Sequence, residues 1–227
     1  MVDIIILADS KNAHLVQMTQ SAIDTCHESE KDIQFNILVL EQADVQYDKA
    51  KTVKMTEPFN YNRYMNIAIG MTSNPFVCLC NNDLLFHKNW ASNIIRAMEQ
   101  NDLLSASPKC PIAQSGRVYD TNVVYGYRNR HELNGWCIMT DRGLYEKIGK
   151  IDEEFEFWFA DNIYSEQLKR HGVKHALIVN SHVTHIGSQT LHTIDSKTHE
   201  RYTTGAIPGF CQKHPKNESA IHFKNRK

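Results

Sequence analysis

The amino-acid sequence predicts an α/β protein, a sheet flanked by helices, on three observations. Short apolar runs alternate with amphipathic stretches through the first hundred residues, the pattern of strands covered by helices. One run, Val77–Cys80, is continuous enough for a strand buried on both faces. Polar, acid-bearing tips then follow the runs, at Asp9-Ser10, Glu41 and Asn81-Asn82-Asp83, on the side where open α/β sheets place their ligands.

Ile4–Ala8 is the first strand, and Asn12–Cys26 the first helix, with Leu15, Met18, Ala22 and Cys26 on one face. Phe35–Leu40 is the second strand, ending at Glu41, and Val53–Met55 a short third. After Pro58, a helix over Tyr61–Met71 puts Tyr64, Ile67, Ala68 and Met71 together. The strand 76–80 and a helix from Lys88 to about Gln100 complete a β-α-β-(β)-α-β-α series, which predicts parallel pairing. Beyond residue 103 the period changes. Leu103–Ala106, Val118–Tyr125 and Trp136–Thr140 read as strands, Asp141 as the N-cap of a helix ended by Gly149, and Asp161 as the cap of another ended by Gly172. Ala176–Val179 is the last strand, before His182-Val-Thr-His185-Ile-Gly-Ser188.

Length and composition point to one domain over residues 1–211, followed by a basic polar tail, 212–227, without predicted structure: 227 residues, 41% hydrophobic and 22% charged. The net charge of -1 conceals an asymmetry, since Lys213–Lys227 carries five Lys/Arg and one Glu. The tail is either a solvated terminus or a contact for an anionic partner. No apolar run approaches a membrane span, and the Met-Val-Asp opening has no signal-peptide pattern. Six cysteines without a C-x-x-C pair fit a reduced, cytoplasmic protein. Cys78 and Cys80, two apart in a strand, share a face and read as small buried residues.

At Asp83 a single carboxylate flanked by amides suits a divalent cation held on a diphosphate, the ion taking one or two protein oxygens. An Asn/Asp turn after a strand accounts for the same residues without a metal. Further along come Asn134-Gly-Trp-Cys-Ile-Met-Thr-Asp, then Ile148-Gly-Lys-Ile-Asp-Glu-Glu-Phe155, then Phe157-Trp-Phe-Ala-Asp161 with a helix ending at Gly172, and last His185-Ile-Gly-Ser188. In this order and spacing, over residues 3 to 190, the chain resembles the GT-A glycosyltransferases, most of all their large family 2. It departs from that pattern at Ala160, Ile163 and Gln167, where the family has Glu, Asp and Arg, and at Asn81, where the metal-binding tip has Asp.

The resemblance implies a Rossmann-like mixed sheet and transfer of a sugar from a nucleotide-diphosphate donor, with UDP the expected carrier, to an acceptor hydroxyl with inversion. It implies Asp83 and His185 as ligands of Mn²⁺ or Mg²⁺, and Asp161 as general base. It also implies nucleotide contacts at Ala8, Asp9, Ser10 and Glu41, a diphosphate contact at Arg63, and Asn82 beside the metal. Asn134, Gly135 and Trp136 would floor the sugar site. Each residue has a plainer reading: Asp161 as helix cap, His185 as a core or turn histidine, Glu41 and Arg63 as solvated charges, Trp136 as core. The acceptor is a glycan or, as the alternative, a hydroxylated base in DNA. Two other functions stand beside transfer. A sugar nucleotidyltransferase is disfavoured because the first loop, Ala-Asp-Ser-Lys-Asn, lacks glycine. A non-catalytic nucleotide-sugar-binding domain is suggested by Ala160.

Overall fold

The computed structural model describes residues 1–187, 189 and 191–225, with the backbone alone for His192; Ser188, Thr190, Arg226 and Lys227 lie outside the described residues. The first half runs β1 (Val2–Ala8), α1 (Ala13–Glu28), β2 (Phe35–Glu41), β3 (Lys51–Lys54), α2 (Tyr61–Gly70) and β4 (Phe76–Asn81). The second runs β5 (Leu84–Phe86), α3 (Trp90–Asn101), β6 (Ser105–Lys109), β7 (Val123–Tyr125), β8 (Cys137–Asp141), α4 (Gly143–Ile148), α5 (Ala160–Arg170) and β9 (His175–His185), then α6 (Ser196–Tyr202), α7 (Ile207–Lys213) and α8 (Glu218–Lys224). Among the described residues nine strands form one sheet in the order β3-β2-β1-β4-β8-β6-β9-β5, with β7 also on β9.

The sheet is buried on both faces, which is why β1 reads as an unbroken apolar run from Ile4 to Ala8. Ile4, Ile6 and Ala8 enter one core with Ala22, Ile23 and Cys26 of α1 and Trp90 and Ile94 of α3. Ile5 and Leu7 enter the other with Tyr64 and Ala68 of α2, Leu144 of α4 and Leu168 of α5. Helices start where side chains replace missing backbone acceptors. Asn12 accepts from the Leu15 N–H at 3.0 Å, and Asn60 from the Arg63 N–H at 3.0 Å.

Several expectations are corrected. The sheet itself is mixed, as the resemblance implies: β1 to β4 pair in parallel and so do β6 and β9, whereas β8 runs antiparallel to β4 and β6, and β5 and β7 run antiparallel to β9. The stretch before β8 is loop and not a crossover helix, so β8 enters the sheet at the end where β4 leaves it. The strand expected over Val118–Tyr125 is confined to Val123–Tyr125. The last strand extends to His185, so His182 and His185 belong to β9 and not to a following loop. Asp141 is not the cap of α4; it accepts from the Gly143 N–H at 2.7 Å from just before the helix. Asp161 is not the cap of α5 either. Phe159 holds that place in the left-handed region (φ 71°), its ring stacked on Phe210 at 3.9 Å, and Asp161 falls in the first turn. The basic carboxyl-terminal segment carries α8, where no structure is predicted: Phe223 and Ala220 pack into a third cluster with Phe159, Ile163 and Phe210.

Candidate active site

The strand register gathers the site. In β1, Ala8 pairs with Glu41 of β2, and Leu7 with Asn81 of β4, so three parallel strands end together. Antiparallel pairing of Cys80 with Cys137 brings Gly135 and Trp136 to the same end, and the Asn81 N–H donates to the Trp136 carbonyl at 2.9 Å. Leu84 pairs with His185 of β9, which places the imidazole beside Asp83.

Asp83 is almost fully buried. Its Oδ2 accepts from the Gly187 N–H at 3.1 Å, and its main-chain carbonyl accepts from the Ile186 N–H at 2.9 Å. Its Oδ1 lies 3.2 Å from His185 Nε2. The two atoms are in ion-pair range but misaligned for a hydrogen bond, so each is buried without a hydrogen-bonding partner. An orphaned buried carboxylate oxygen and imidazole nitrogen are costly unless a ligand completes them. Two donors each about 2.1 Å from a shared cation, at right angles, would lie about 3 Å apart, so the pair fits a divalent ion. The His185 ring is fixed by stacking on Trp136, with centroids 4.7 Å apart and planes 7° apart. One indole face is therefore taken by the histidine. The Trp136 Nε1–H is a further buried donor without a partner.

Asp161 reaches the same place from α5. A Cβ added to Gly135 would lie 2.7 Å from the Asp161 Cβ and 2.9 Å from its Oδ2, so glycine is required for this close approach. Burial raises the Asp161 carboxyl pKa, against the lowering pulls of the Asn162 N–H and the Arg130 charge. A raised pKa makes the carboxylate a stronger base, suited to accept a proton. Tyr61 links the two sides: its hydroxyl donates toward Asn81 Oδ1 at 3.2 Å and the Gly135 carbonyl at 3.3 Å. Burial pushes the Tyr61 pKa well up, and the Asp161 and Asp83 charges add to the effect. Sequence reading missed Tyr61, since its helix face looked like ordinary packing; its position three residues past Pro58 carries no chemical signature.

The nucleotide-end residues divide. Asp9 pairs with Lys11 at 2.7 Å. The Ala8 carbonyl is taken by the Gln42 N–H at 3.1 Å. Glu41 is fully buried, and its carboxylate accepts from the N–H groups of Ser10 and Ala43 and from the Tyr47 hydroxyl, at 2.9, 2.8 and 2.6 Å. It is an internal post for the Ser10 loop, and not a solvated charge. Burial, then the bond to Glu41, drive the Tyr47 pKa far up. Asn82 also turns inward, donating to Thr19 at 3.0 Å. Arg63 is held by Glu153 at 2.9 Å. Asn134 donates to the Pro108 carbonyl at 2.8 Å and thereby anchors the turn into Gly135.

No family model matches the sequence, and no curated protein matches it either. Among solved structures, the chain is similar to a mannosyltransferase, PcManGT of Pyrobaculum calidifontis, in complex with GDP-Man and Mn²⁺. The TM-score is 0.59 at 13% identity, over 83% of this chain and 57% of that one. It is similar to GalNAc-T7 with UDP, GalNAc and Mn²⁺, with a TM-score of 0.62 at 11% identity, over 82% of this chain and 43% of that one. It is also similar to TarS of S. aureus, with a TM-score of 0.56 at 11% identity, over 81% of this chain and 59% of that one. The fold is that of the GT-A glycosyltransferases, a mixed sheet flanked by helices, and the chain spans about half the length of these structures. No described helix is long and apolar enough to cross a membrane.

Proposed function

We propose that the chain is a metal-dependent glycosyltransferase of the family 2-like GT-A type, moving a sugar from a nucleoside-diphosphate donor to an acceptor hydroxyl with inversion. The observation that carries this reading is the orphaned pair, Asp83 Oδ1 and His185 Nε2, buried 3.2 Å apart at the strand ends of a GT-A fold. Two similar structures hold a nucleotide or nucleotide sugar with Mn²⁺, which supports a divalent cation, Mn²⁺ or Mg²⁺, at this pair. Bound there, the ion would hold the diphosphate and offset the charge that grows as the glycosidic bond breaks.

The protein's own groups do the rest. Asp161 takes the proton of the attacking hydroxyl across the sugar from the leaving group, as single displacement requires. Gly135 leaves room for that approach, and Trp136 gives its remaining face and its free N–H to the bound sugar. Asp9 meets the nucleoside on a loop that Glu41 braces from beneath. Ser10, expected to share that contact, is buried with its N–H on Glu41 and its hydroxyl accepting from Tyr47 at 2.6 Å, so Ser10 and Glu41 act through backbone position. Arg63 reaches a diphosphate only when its pair with Glu153 opens.

The acceptor is a glycan in the first instance. The net positive segment Lys213–Lys227 favours, as a second reading, a phosphate-rich acceptor such as DNA bearing a hydroxylated base. A screen of nucleotide sugars for Mn²⁺-dependent thermal stabilisation tests the proposal, since a ligand selective for the native state raises its melting point. A uridine diphosphate sugar is the first donor to try. The expected result is a Tm rise that needs both Mn²⁺ and the sugar nucleotide and disappears in Asp83→Ala. Stabilisation without sugar release to any acceptor or to water would mark a binding domain. No stabilisation by any sugar nucleotide would overturn the reading.

A further inference from the structure

Beneath the tip that carries Asp83 lies a second group of side chains that the transfer chemistry does not use. Cys78 and Cys80 share one face of β4, and Cys137 stands directly across from Cys80 in β8. The neighbouring pair, Asn81 and Trp136, is hydrogen-bonded, so Cys80 and Cys137 form the non-hydrogen-bonded kind of pair, where facing side chains come closest. The Sγ atoms of Cys78 and Cys80 are 3.4 Å apart, those of Cys78 and Cys137 are 3.6 Å apart, and all three lie within 4.8 Å of one another. All three residues are wholly inaccessible to solvent. Among the described residues this is the one group of three or more Cys, His or carboxylate donors so closely spaced.

We propose that Cys78, Cys80 and Cys137 form a three-sulfur site for a soft monovalent cation of the copper(I) class. Thiolate and thiol sulfur are soft ligands that select such ions over the hard divalent ions suited to Asp83. Three sulfurs at about 2.3 Å around a planar centre lie about 4 Å apart, within the spread the cluster already has. Tetrahedral zinc would want a fourth ligand, and no histidine or carboxylate joins the three among the described residues. Charge points the same way: a monovalent cation brings the smaller charge into a wholly buried, apolar surrounding, where uncompensated charge is costly.

The site is independent of the transferase reading and is tested without donor or Mn²⁺. The full chain, reduced, metal-free and kept anaerobic, is titrated with copper(I) buffered by a coloured chelator. One arm uses the native protein and another uses protein refolded from guanidinium with copper(I) present, since the cluster has no open path to solvent. The expected result is one equivalent withdrawn from the chelator, with a sulfur-to-copper charge-transfer band. Cys80→Ala and Cys137→Ala should each abolish that uptake, while Cys211→Ser should keep it. Thermal melts of the variants establish that they are folded, and a variant that does not fold is replaced by the corresponding Val substitution. Uptake that persists in folded Cys80→Ala, or that is lost in Cys211→Ser, assigns the copper elsewhere and overturns the proposal. Absence of uptake in both the native and the refolded arm overturns it equally.

Discussion

Two buried aspartates sit at opposite ends of the same sheet, and their surroundings separate architecture from chemistry. Asp3, at the amino end of β1, accepts from Asn36 Nδ2, from the Asn74 N–H and Nδ2, each at 2.7 Å, and from Arg142 Nη2 at 3.1 Å. Both of its oxygens are used. Burial would raise its pKa, but the Asn36, Asn74 and Arg142 contacts outweigh this and lower it. Asp83, at the carboxyl end of β4, is as deeply set but leaves Oδ1 open toward an equally open imidazole. A satisfied buried carboxylate holds strands together; an unsatisfied one waits for a ligand.

The largest expected effect breaks the open end. Asp83→Asn should lower Mn²⁺-dependent donor turnover by on the order of 10³-fold, the scale on which removing one charge-stabilising group acts. Its melting temperature without metal should stay within a few degrees of the parent, because no satisfied network is lost. A collapse of stability with turnover intact in the folded fraction would show that Asp83 is structural like Asp3.

Next comes the closed end. Asp3→Asn strands the partly buried Arg142 and should cost about 3 kcal/mol at neutral pH by denaturant unfolding, the lower part of the range for a broken buried pair. The pH dependence has a definite sign. The folded-state pKa of Asp3 is depressed, so its contribution is present above the unfolded value of about 3.9 and lost as pH falls through the folded value. The gap between parent and variant should therefore narrow in acid. A gap that stays constant down to pH 2 would remove Asp3 ionisation from the account.

Asp161 sharpens the contrast, being raised where Asp3 is lowered. Asp161→Asn should reduce transfer by about 10²-fold, the low end for a general base. The acid limb of the parent rate should lie above the pH expected of an ordinary carboxylate and vanish in the variant. Because the folded-state pKa of Asp161 is raised, its stabilising contribution is present at low pH and is lost as pH rises through that raised value. The variant should consequently be at least as stable as the parent at neutral pH. A destabilised variant with an unchanged pH-rate limb would return Asp161 to the role of a helix-start residue.

The sequence makes the first half of the fold legible because parallel strands buried on both faces must be apolar along their centres, and Ile4–Ala8, Ile37–Leu40 and Val77–Cys80 are. The second half is less legible for a physical reason. Strand direction depends on where a chain enters the sheet, and the stretch over 110–136, which holds only the three-residue β7, carries no periodicity to say so. Asp83, His185 and Asp161 could be nominated from motif order; the register brings Asp83 and His185 together, and Asp161 approaches from α5 beside Gly135. Their orientation could not. Glu41 and Asp83 look alike as acids after apolar strands, yet one is filled by two N–H groups and a hydroxyl and the other is open. Tyr47, whose hydroxyl completes the Glu41 partners, and Tyr61, which links Asn81 to the Gly135 carbonyl, lie in sequence contexts that suggest packing alone. The Asp161 cap failed because Phe159 takes a left-handed conformation that aromatic stacking on Phe210 supports, and no local propensity announces that.

Glu41 supplies the smallest and most discriminating test, because it stands at the same end of the sheet as Asp83 but in the filled condition of Asp3. If position at the strand end decides function, Glu41→Gln should chiefly raise the KM for donor. If satisfaction decides, it should chiefly cost stability. The NH2 end of the Gln amide must face either the Ser10 and Ala43 N–H groups, which it would leave unpaired, or the Tyr47 hydroxyl, which would have to turn its proton to Ser10 Oγ. A buried unpaired donor costs about 1–3 kcal/mol, and the charge-assisted character of these bonds is lost as well. The expectation is a loss of about 1.5 kcal/mol in urea unfolding, with kcat unchanged and the donor KM shifted only as far as the Ser10 loop loosens. A several-fold rise in KM with unaltered stability would mean that Glu41 leaves its internal partners to grip the nucleotide, and the rule drawn from Asp3 and Asp83 would then hold for one acid of the edge and not for its neighbour.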